Sequence, residues 1–129
     1  MKLEADNFDV QTIQGYGLGW VGVQGEKITH SVILGSQGQR VNWQCSRFED
    51  LTEAHFAQLA DFDAELIIFG SGSRIRFPQA AWLQPLMLKR IGLETMDTGA
   101  ACRTYNILAG EGRRVVVALV LEHTQITSQ

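Results

Sequence analysis

The chain has 129 residues, of which 45% are hydrophobic and 19% are charged, a composition typical of a folded domain with a packed core and not of a disordered chain. The formal net charge is −3, and the sequence lacks the dense basic stripe that duplex nucleic acid usually requires. We therefore expect a single domain over residues 1–129 with no nucleic-acid partner.

The charge is unevenly divided along the chain. Residues 1–65 contain ten acidic and four basic residues, a net charge of −6, whereas residues 66–129 contain four acidic and seven basic residues, a net charge of +3. This asymmetry is a first indication of an anion-facing side in the second half.

No segment has the length or composition of a membrane span or a targeting signal. The longest uninterrupted apolar run, residues 115–121, has seven residues, whereas a spanning helix needs ~20. The start, "MKLEADNFDV", has neither the apolar core of a secretory signal nor the arginines of a transit peptide. Cys45 and Cys102 lack C-x-x-C spacing and are expected to be reduced thiols. The sequence predicts a cytoplasmic protein without a transmembrane segment.

The first third of the chain is punctuated by glycines that separate short apolar runs, a pattern that favours strands over helices. Residues 20–34 are predicted to form a hairpin around the turn "QGEK". "RVNWQ", residues 40–44, is predicted to be a third short strand.

A helix is predicted to follow at about residue 50. Asp50 and Glu53 have the spacing of a capping box, and the apolar face of this helix ends near Asp61. The acidic residues of "DFDAE" then resemble part of a calcium loop, but the position that needs glycine is Leu66. A solvated turn before a strand is the better interpretation, and no metal site is predicted.

From residue 66 onward, strands and helices alternate. "LIIF" is continuous and apolar, as in a strand covered on both faces. In "PQAAWLQPLMLKRIG", either a helix is kinked at Pro85 or, the interpretation we favour, Pro85 lies in its first turn and "PQAAWLQ" is a separate irregular turn. "LETM" is a strand, Asp97 and Thr98 cap the helix "GAACRTYNILAG", and "RRVVVALVLE" is the most apolar strand, expected at the centre of the sheet.

This alternation predicts parallel strands joined by right-handed crossovers. The expected fold is therefore α/β and three-layered, with a central mixed, largely parallel sheet, flanking helices and an extra N-terminal β-hairpin layer.

A candidate ligand site follows from the expected topology. If the strands that end at Phe69 and Met96 are parallel, the loop of residues 70–76 and the helix start at Thr98 meet at the carboxyl edge of the sheet, where open α/β folds bind ligands. Main-chain N–H groups, the helix dipole and arginines could there hold a small anion. The candidate binding residues are Gly70, Ser71, Gly72, Arg74, Asp97, Thr98, Arg103 and Asn106.

The motifs in this region are weak, and two interpretations of Arg103 stay open. Ile75 occupies the place of the third glycine of a dinucleotide fingerprint, and no Walker loop or nucleophile elbow is present, so no catalytic residue and no cofactor are predicted. Arg103 either points toward the loop or pairs with Asp97 or Glu94 to fasten the helix. Cys102, near the helix start, is more typical of a buried residue than of a reactive thiol.

The segments "LIIFGSGSRIRFP" and "IGLETMDTGAACRTYNILAGEGRRVVVALVL" closely resemble an uncharacterised domain family named after a methanogen hypothetical protein, whose relatives include a mitochondrial respiratory complex I assembly factor. The resemblance extends from about Ile28 to Leu121 and is most specific in the G-S-G turn and in "MDTGAACRTYN". It implies a three-layer fold with an extra β-rich layer, and interaction more than catalysis. The residues that match the family pattern are Gly70, Gly72, Asp97, Thr98 and Asn106.

Two functions are therefore expected. The first is a non-enzymatic accessory domain of a bacterial cytoplasm that binds a protein partner and assists assembly of a respiratory-type complex. The alternative is a small-anion or metabolite-binding domain, with or without enzymatic activity, whose site lies between the loop of residues 70–76 and Thr98.

Overall fold

A computed structural model of the chain describes residues 10–123. Its elements are β1 (Ile13–Gly17), β2 (Trp20–Val23), β3 (Glu26–Ile28), β4 (Val32–Gly35), β5 (Arg40–Asn42), α1 (Glu53–Leu59), β6 (Leu66–Gly70), α2 (Gln84–Leu88), β7 (Gly92–Met96), α3 (Thr98–Gly110) and β8 (Val115–Leu119). Two 3₁₀ turns, Phe48–Asp50 and Ala80–Leu83, precede α1 and α2.

Five strands form a central mixed sheet in the order β5-β4-β8-β6-β7. β6 is parallel to both β7 and β8, whereas β4 is antiparallel to both β5 and β8. β8 is the middle strand, and all five of its residues are buried, which confirms its predicted central position. β1, β2 and β3 form a separate antiparallel sheet. The predicted α/β architecture with a mixed sheet and an extra N-terminal β layer is confirmed, and that layer has three strands.

Alternate residues of β8 serve two hydrophobic cores. Val117 and Leu119 pack with α3 and the N-terminal sheet, whereas Val116 and Ala118 pack with α1 and α2 on the opposite face. Both faces are therefore covered, which explains why the strand sequence is continuously apolar and does not alternate.

The predicted hairpin over residues 20–34 is wrong in its second half. The hairpin comprises only β2 and β3, and its turn residues Gln24 and Gly25 have φ angles of 54° and 80°. Val32–Gly35 instead joins the central sheet between β5 and β8, where all four residues are buried. Residues 32–35 form a continuous apolar run, which is typical of a strand in a sheet that is covered on both faces and not of a hairpin strand.

The predicted capping box at Asp50 and Glu53 is also wrong, although the helix does begin at Glu53. Thr52 is the cap residue, and its N–H donates to Nδ1 of His55 at 3.0 Å. The Asp50 carboxylate accepts a hydrogen bond from the N–H of Ser46 instead, at 2.9 Å. This local bond closes the preceding turn, so the carboxylate is not available to the helix.

The later elements follow the prediction closely. Pro85 lies in the first turn of α2, and the residues before it form the separate turn Ala80–Leu83. The acidic residues before β6 bind arginines: Asp63 pairs with Arg114 at 2.8 Å and Glu65 with Arg113 at 3.0 Å. The hydrogen bond from Arg113 is the main cause of a lowered pKa at Glu65.

Within residues 10–123, no His, Cys, Asp and Glu side chains gather in a group of three or more suited to a metal ion. No helix in the same part of the chain is long and apolar enough to cross a membrane.

Candidate functional site

The loop after β6 and the start of α3 are joined by two reciprocal hydrogen bonds. The N–H of Gly72 donates to Oγ1 of Thr98 at 3.0 Å, and the N–H of Thr98 donates to the carbonyl of Gly72 at 2.8 Å. Gly72 has φ +114°, a conformation that L side chains rarely adopt. The meeting of the two segments at the carboxyl edge, which the sequence predicted, is therefore present and is held by one main-chain bond and one bond to the Thr98 side chain.

Gly70 lets α3 approach β6 closely. A Cβ atom at this position would lie 2.8 Å from Cδ2 of Leu119, 3.1 Å from Cβ of Ala101 and 3.3 Å from Cα of Thr98. Because two of these three atoms belong to α3, a side chain at residue 70 would push the helix away from the sheet.

Ser71 organises the loop from inside. It is fully buried, its Oγ donates to the carbonyl of Arg74 at 2.8 Å, and the same oxygen accepts from the N–H of Arg76 at 2.8 Å. Its own N–H donates to the carbonyl of Met96 at 2.9 Å. Ser71 therefore has a structural role in shaping the loop.

Asp97 is the N-cap of α3, as predicted, and its Oδ1 accepts from the N–H of Ala100 at 2.9 Å. The N–H of Ala101 donates to the main-chain carbonyl of Asp97, and that of Thr98 to Gly72. Three N–H groups of the first turn are thus bonded inside the protein, and a carboxylate already occupies the positive end of the helix.

A cleft with a volume of about 610 Å³ opens beside this junction. Its walls come from the β1–β2 turn, the loop after β6, the start of α3 and the chain after β8. The lining residues are Tyr16, Gly17, Leu18, Gly19, Arg47, Gly72, Ser73, Asp97, Thr98, Gly99, Val120, Leu121, Glu122 and His123. The volume lies within the range of about 300–1,000 Å³ that is common for ligand pockets.

Of the predicted residues, Gly72, Asp97 and Thr98 line this cleft, whereas Arg74 is exposed outside it. Gly70 and Ser71 support the junction from behind without lining the cleft. The structure therefore brings the predicted loop and helix start together at the cleft, but the predicted arginines, Arg74 and Arg103, do not line it.

Arg103 and Asn106 both attach α3 to the N-terminal sheet. The guanidinium of Arg103 donates to the hydroxyl of Tyr16, and not to Asp97 or Glu94. Asn106 accepts from the N–H of Ile13 at 2.9 Å and donates to the carbonyl of the same residue at 2.7 Å. The expected pairing of Arg103 with Asp97 or Glu94 is therefore wrong, because its partner is Tyr16, 87 residues away.

The arginine that does face inward is Arg76, which the sequence analysis did not select. Its Nη2 donates to the carbonyl of Ser71 at 2.7 Å and to Oε1 of Glu122 at 2.6 Å. The other oxygen of Glu122 accepts from the N–H of Phe48 at 2.7 Å, and the Arg76 guanidinium lies 4.8 Å from the Phe48 ring centre. This partly buried pair joins the loop to the chain after β8, and Glu122 lines the cleft.

The charged groups of the cleft are engaged within the protein. Glu122 binds Arg76, Arg47 lies 3.7 Å from Asp50, and Nε2 of His123 lies 2.6 Å from the carbonyl of Thr29. With Asp97 acting as a cap, this arrangement contains no base poised beside a nucleophile. Binding of a small anion in this cleft stays a prediction.

The two thiols are free and shielded from solvent to different extents: Cys102 is buried and Cys45 is half-buried. Burial raises the pKa of the Cys102 thiol to about 12 and that of Cys45 to about 11. The expected burial of Cys102 is confirmed. Because a reactive cysteine must be a thiolate, the raised pKa argues against a nucleophilic role.

Comparison with solved structures finds the same fold in bacterial proteins. A protein of Bordetella parapertussis is 36% identical, with a TM-score of 0.81 over 88% of this chain and 97% of its own. A Mth938-like domain of Bordetella pertussis is 31% identical, with a TM-score of 0.77 over 87% of this chain and 86% of its own. These matches agree with the family resemblance seen in the sequence.

Among curated proteins, the chain is similar to NADH dehydrogenase (ubiquinone) 1 alpha subcomplex assembly factor 3 of Homo sapiens, with 34% identity over 82 residues. The match covers 62% of this chain and 45% of the human protein. The corresponding Bos taurus protein is 32% identical over 69% of this chain and 50% of its own length. The chain thus spans about half the length of these curated relatives.

The family described as "protein of unknown function (DUF498/DUF598)" matches residues 13–120, which include both sheets, the three helices described above and most of the residues that line the cleft. The chain therefore belongs to this family.

Proposed function

We propose that the chain is a non-enzymatic accessory domain that binds a protein partner at the cleft and assists assembly of a respiratory-type complex. Two curated relatives are named as assembly factors of NADH dehydrogenase, which supports a role in the assembly of such a complex. The internally bonded charges of the cleft support binding over catalysis.

The observation that carries the proposal is the position of Leu18. This side chain is 80% exposed on the tight β1–β2 turn and lines the cleft. The turn is held in place because Gly19, with φ +72°, lies against the chain after β8, where an added Cβ would be 3.1 Å from the carbonyl of Glu122. Because the main chain of this turn is already held, a partner that covers Leu18 has little main-chain ordering to supply.

The electrostatics of the cleft also favour a protein partner over a small anion. Asp97 and Glu122 contribute carboxylates, and Arg47 contributes the guanidinium, while Arg74 and Arg103 lie outside the lining. A small anion would therefore compete with carboxylates that already occupy the helix start and Arg76, whereas a protein surface can match groups of both signs.

We place this role in the cytoplasm of a bacterium. Solved relatives with 31% and 36% identity come from two Bordetella species. Both cysteines are free, as is usual in a reducing compartment.

Affinity purification of the tagged chain from its native host, followed by mass spectrometry, tests the proposal. We expect reproducible recovery of subunits of a membrane-associated respiratory complex, enriched over a tag-only control. Recovery of no reproducible partner under mild extraction conditions would contradict the proposed role.

A further inference from the structure

β7 is an edge strand of the central sheet, bonded to β6 on one side only. It runs in unbroken parallel register with β6 over five residues, from Leu66↔Gly92 to Gly70↔Met96. Leu93 packs partly into one core and Met96 into the other, so both faces of the strand are held by the fold. Its outer main-chain edge is the part left open.

The hydrogen bonds at the two ends of β7 fix which groups point outward. The N–H of Gly92 donates to the carbonyl of Glu65 at 3.2 Å, and the carbonyl of Met96 accepts from Ser71 at 2.9 Å. Because main-chain direction alternates along a strand, the N–H and C=O groups of Leu93 and Thr95 face away from β6. Within residues 10–123, no hydrogen bond reaches these outward groups.

The other strand edges are covered or short. At β1, the Asn106 amide both donates to and accepts from the main chain of Ile13, as a neighbouring strand would. β3 and β5 have three residues each, and their edges carry an ion pair between Glu26 and Arg40 at 2.7 Å. Proteins usually shorten, charge or cover edge strands to prevent unwanted pairing. β7, with the sequence GLETM, has no lysine, proline or bulge.

Glu94 gives the outer edge of β7 a negative charge. The residue lies at the centre of β7, is exposed, and makes no ion pair with any residue of the described part of the chain. Two copies of the chain could pair their β7 strands antiparallel about a two-fold axis, over all five residues. The two Glu94 carboxylates would then lie opposite each other, which is unfavourable. A strand with a basic side chain at that position is favoured by the same rule.

We propose that the outer edge of β7 binds an extended segment of a partner protein as a sixth strand, with a basic side chain opposite Glu94. The main-chain groups of Leu93 and Thr95 supply the hydrogen bonds, and Glu94 supplies the selectivity, as in other recognition by strand addition. This names a contact for the partner-binding role proposed above and rests on it.

Two synthetic nine-residue peptides of alternating threonine and valine, one with a central lysine and one with a central glutamate, test this by NMR on the full chain. We expect the lysine peptide to shift the amide signals of Leu93 and Thr95 and to slow their hydrogen exchange. It should bind roughly twofold to fivefold more tightly than the glutamate peptide. Glu94→Lys should reverse this preference, and the matched control Glu111→Lys, also at an exposed residue, should retain it.

Absence of any β7 response to either peptide, or an unchanged preference in Glu94→Lys, would overturn the proposal. Concentration-dependent dimerisation of Glu94→Gln with protected Leu93 and Thr95 amides would assign the edge to a second copy and would also overturn it. The peptide experiment needs only the purified chain and no partner from the host. Its failure would therefore contradict strand addition at β7, whereas failure of the affinity purification would contradict the proposed function.

Discussion

Replacement of Phe69 with alanine is expected to lower the free energy of unfolding by about 3–5 kcal/mol, the usual cost of removing a buried phenylalanine ring. Phe69 is fully buried at the end of β6. Its ring centre lies 5.3 Å from that of Phe56, 6.0 Å from that of Trp43 and 6.3 Å from that of Phe48. The substitution would leave a cavity at the centre of this aromatic cluster, directly before the loop that forms the cleft.

Chemical denaturation of the purified variants measures this effect. Phe77→Ala is the matched control, because Phe77 is 69% exposed, and we expect it to change stability by less than about 0.5 kcal/mol. Equal losses in the two variants would contradict the position assigned to Phe69.

Replacement of Gly70 with valine is expected to destabilise the protein by about 1–3 kcal/mol through overpacking, although it adds apolar volume. The added Cβ would lie 2.8 Å from Leu119, and the branched side chain would push against Ala101 and Thr98 at the start of α3. Because Thr98 is bonded to Gly72, displacement of the helix should also weaken the junction that forms the cleft.

Thermal denaturation together with hydrogen exchange at the Gly72 and Thr98 amides tests this prediction, and faster exchange is expected at both. Gly110→Ala is the control, since no heavy atom would lie within 4 Å of its Cβ and alanine is favoured in helices by up to about 1 kcal/mol. Wild-type stability of Gly70→Val would show that the close approach of α3 to β6 is not required.

The sequence predicted the parallel strands of the central sheet well because burial on both faces leaves a local signal. Continuous apolar runs marked β6 and β8, and the alternation of strands and helices after residue 66 indicated parallel pairing. The meeting of Gly72 with Thr98 followed from the same topology, because parallel strands end at one edge.

The errors in the predicted site come from contacts between residues far apart in the sequence. Arg74 and Arg76 occupy equivalent places in an alternating pattern, and the carboxylate that binds the inward Arg76 belongs to Glu122, 46 residues later. Likewise, Tyr16 determines the direction of Arg103 across 87 residues. No spacing rule in the local sequence contains these partners.

Asn106, which matches the family pattern, has a structural role that explains the match. Its amide makes two hydrogen bonds to the main chain of Ile13 and thereby attaches the N-terminal sheet to α3. This sheet carries Tyr16 and Leu18 to the cleft. Asn106 therefore supports the proposed binding surface without lining it.

The most direct test of the account is site-specific photo-crosslinking in the native host, with the photoreactive residue placed at Leu18 or, as a control, at Ile107. Both side chains are exposed, by 80% and 61% respectively, but Ile107 lies nine residues beyond Thr98 on α3, about 13 Å along the helix axis. The account predicts a specific adduct with a respiratory-complex protein from position 18 and none from position 107. No adduct from position 18, or the same adducts from both positions, would contradict partner binding at the cleft.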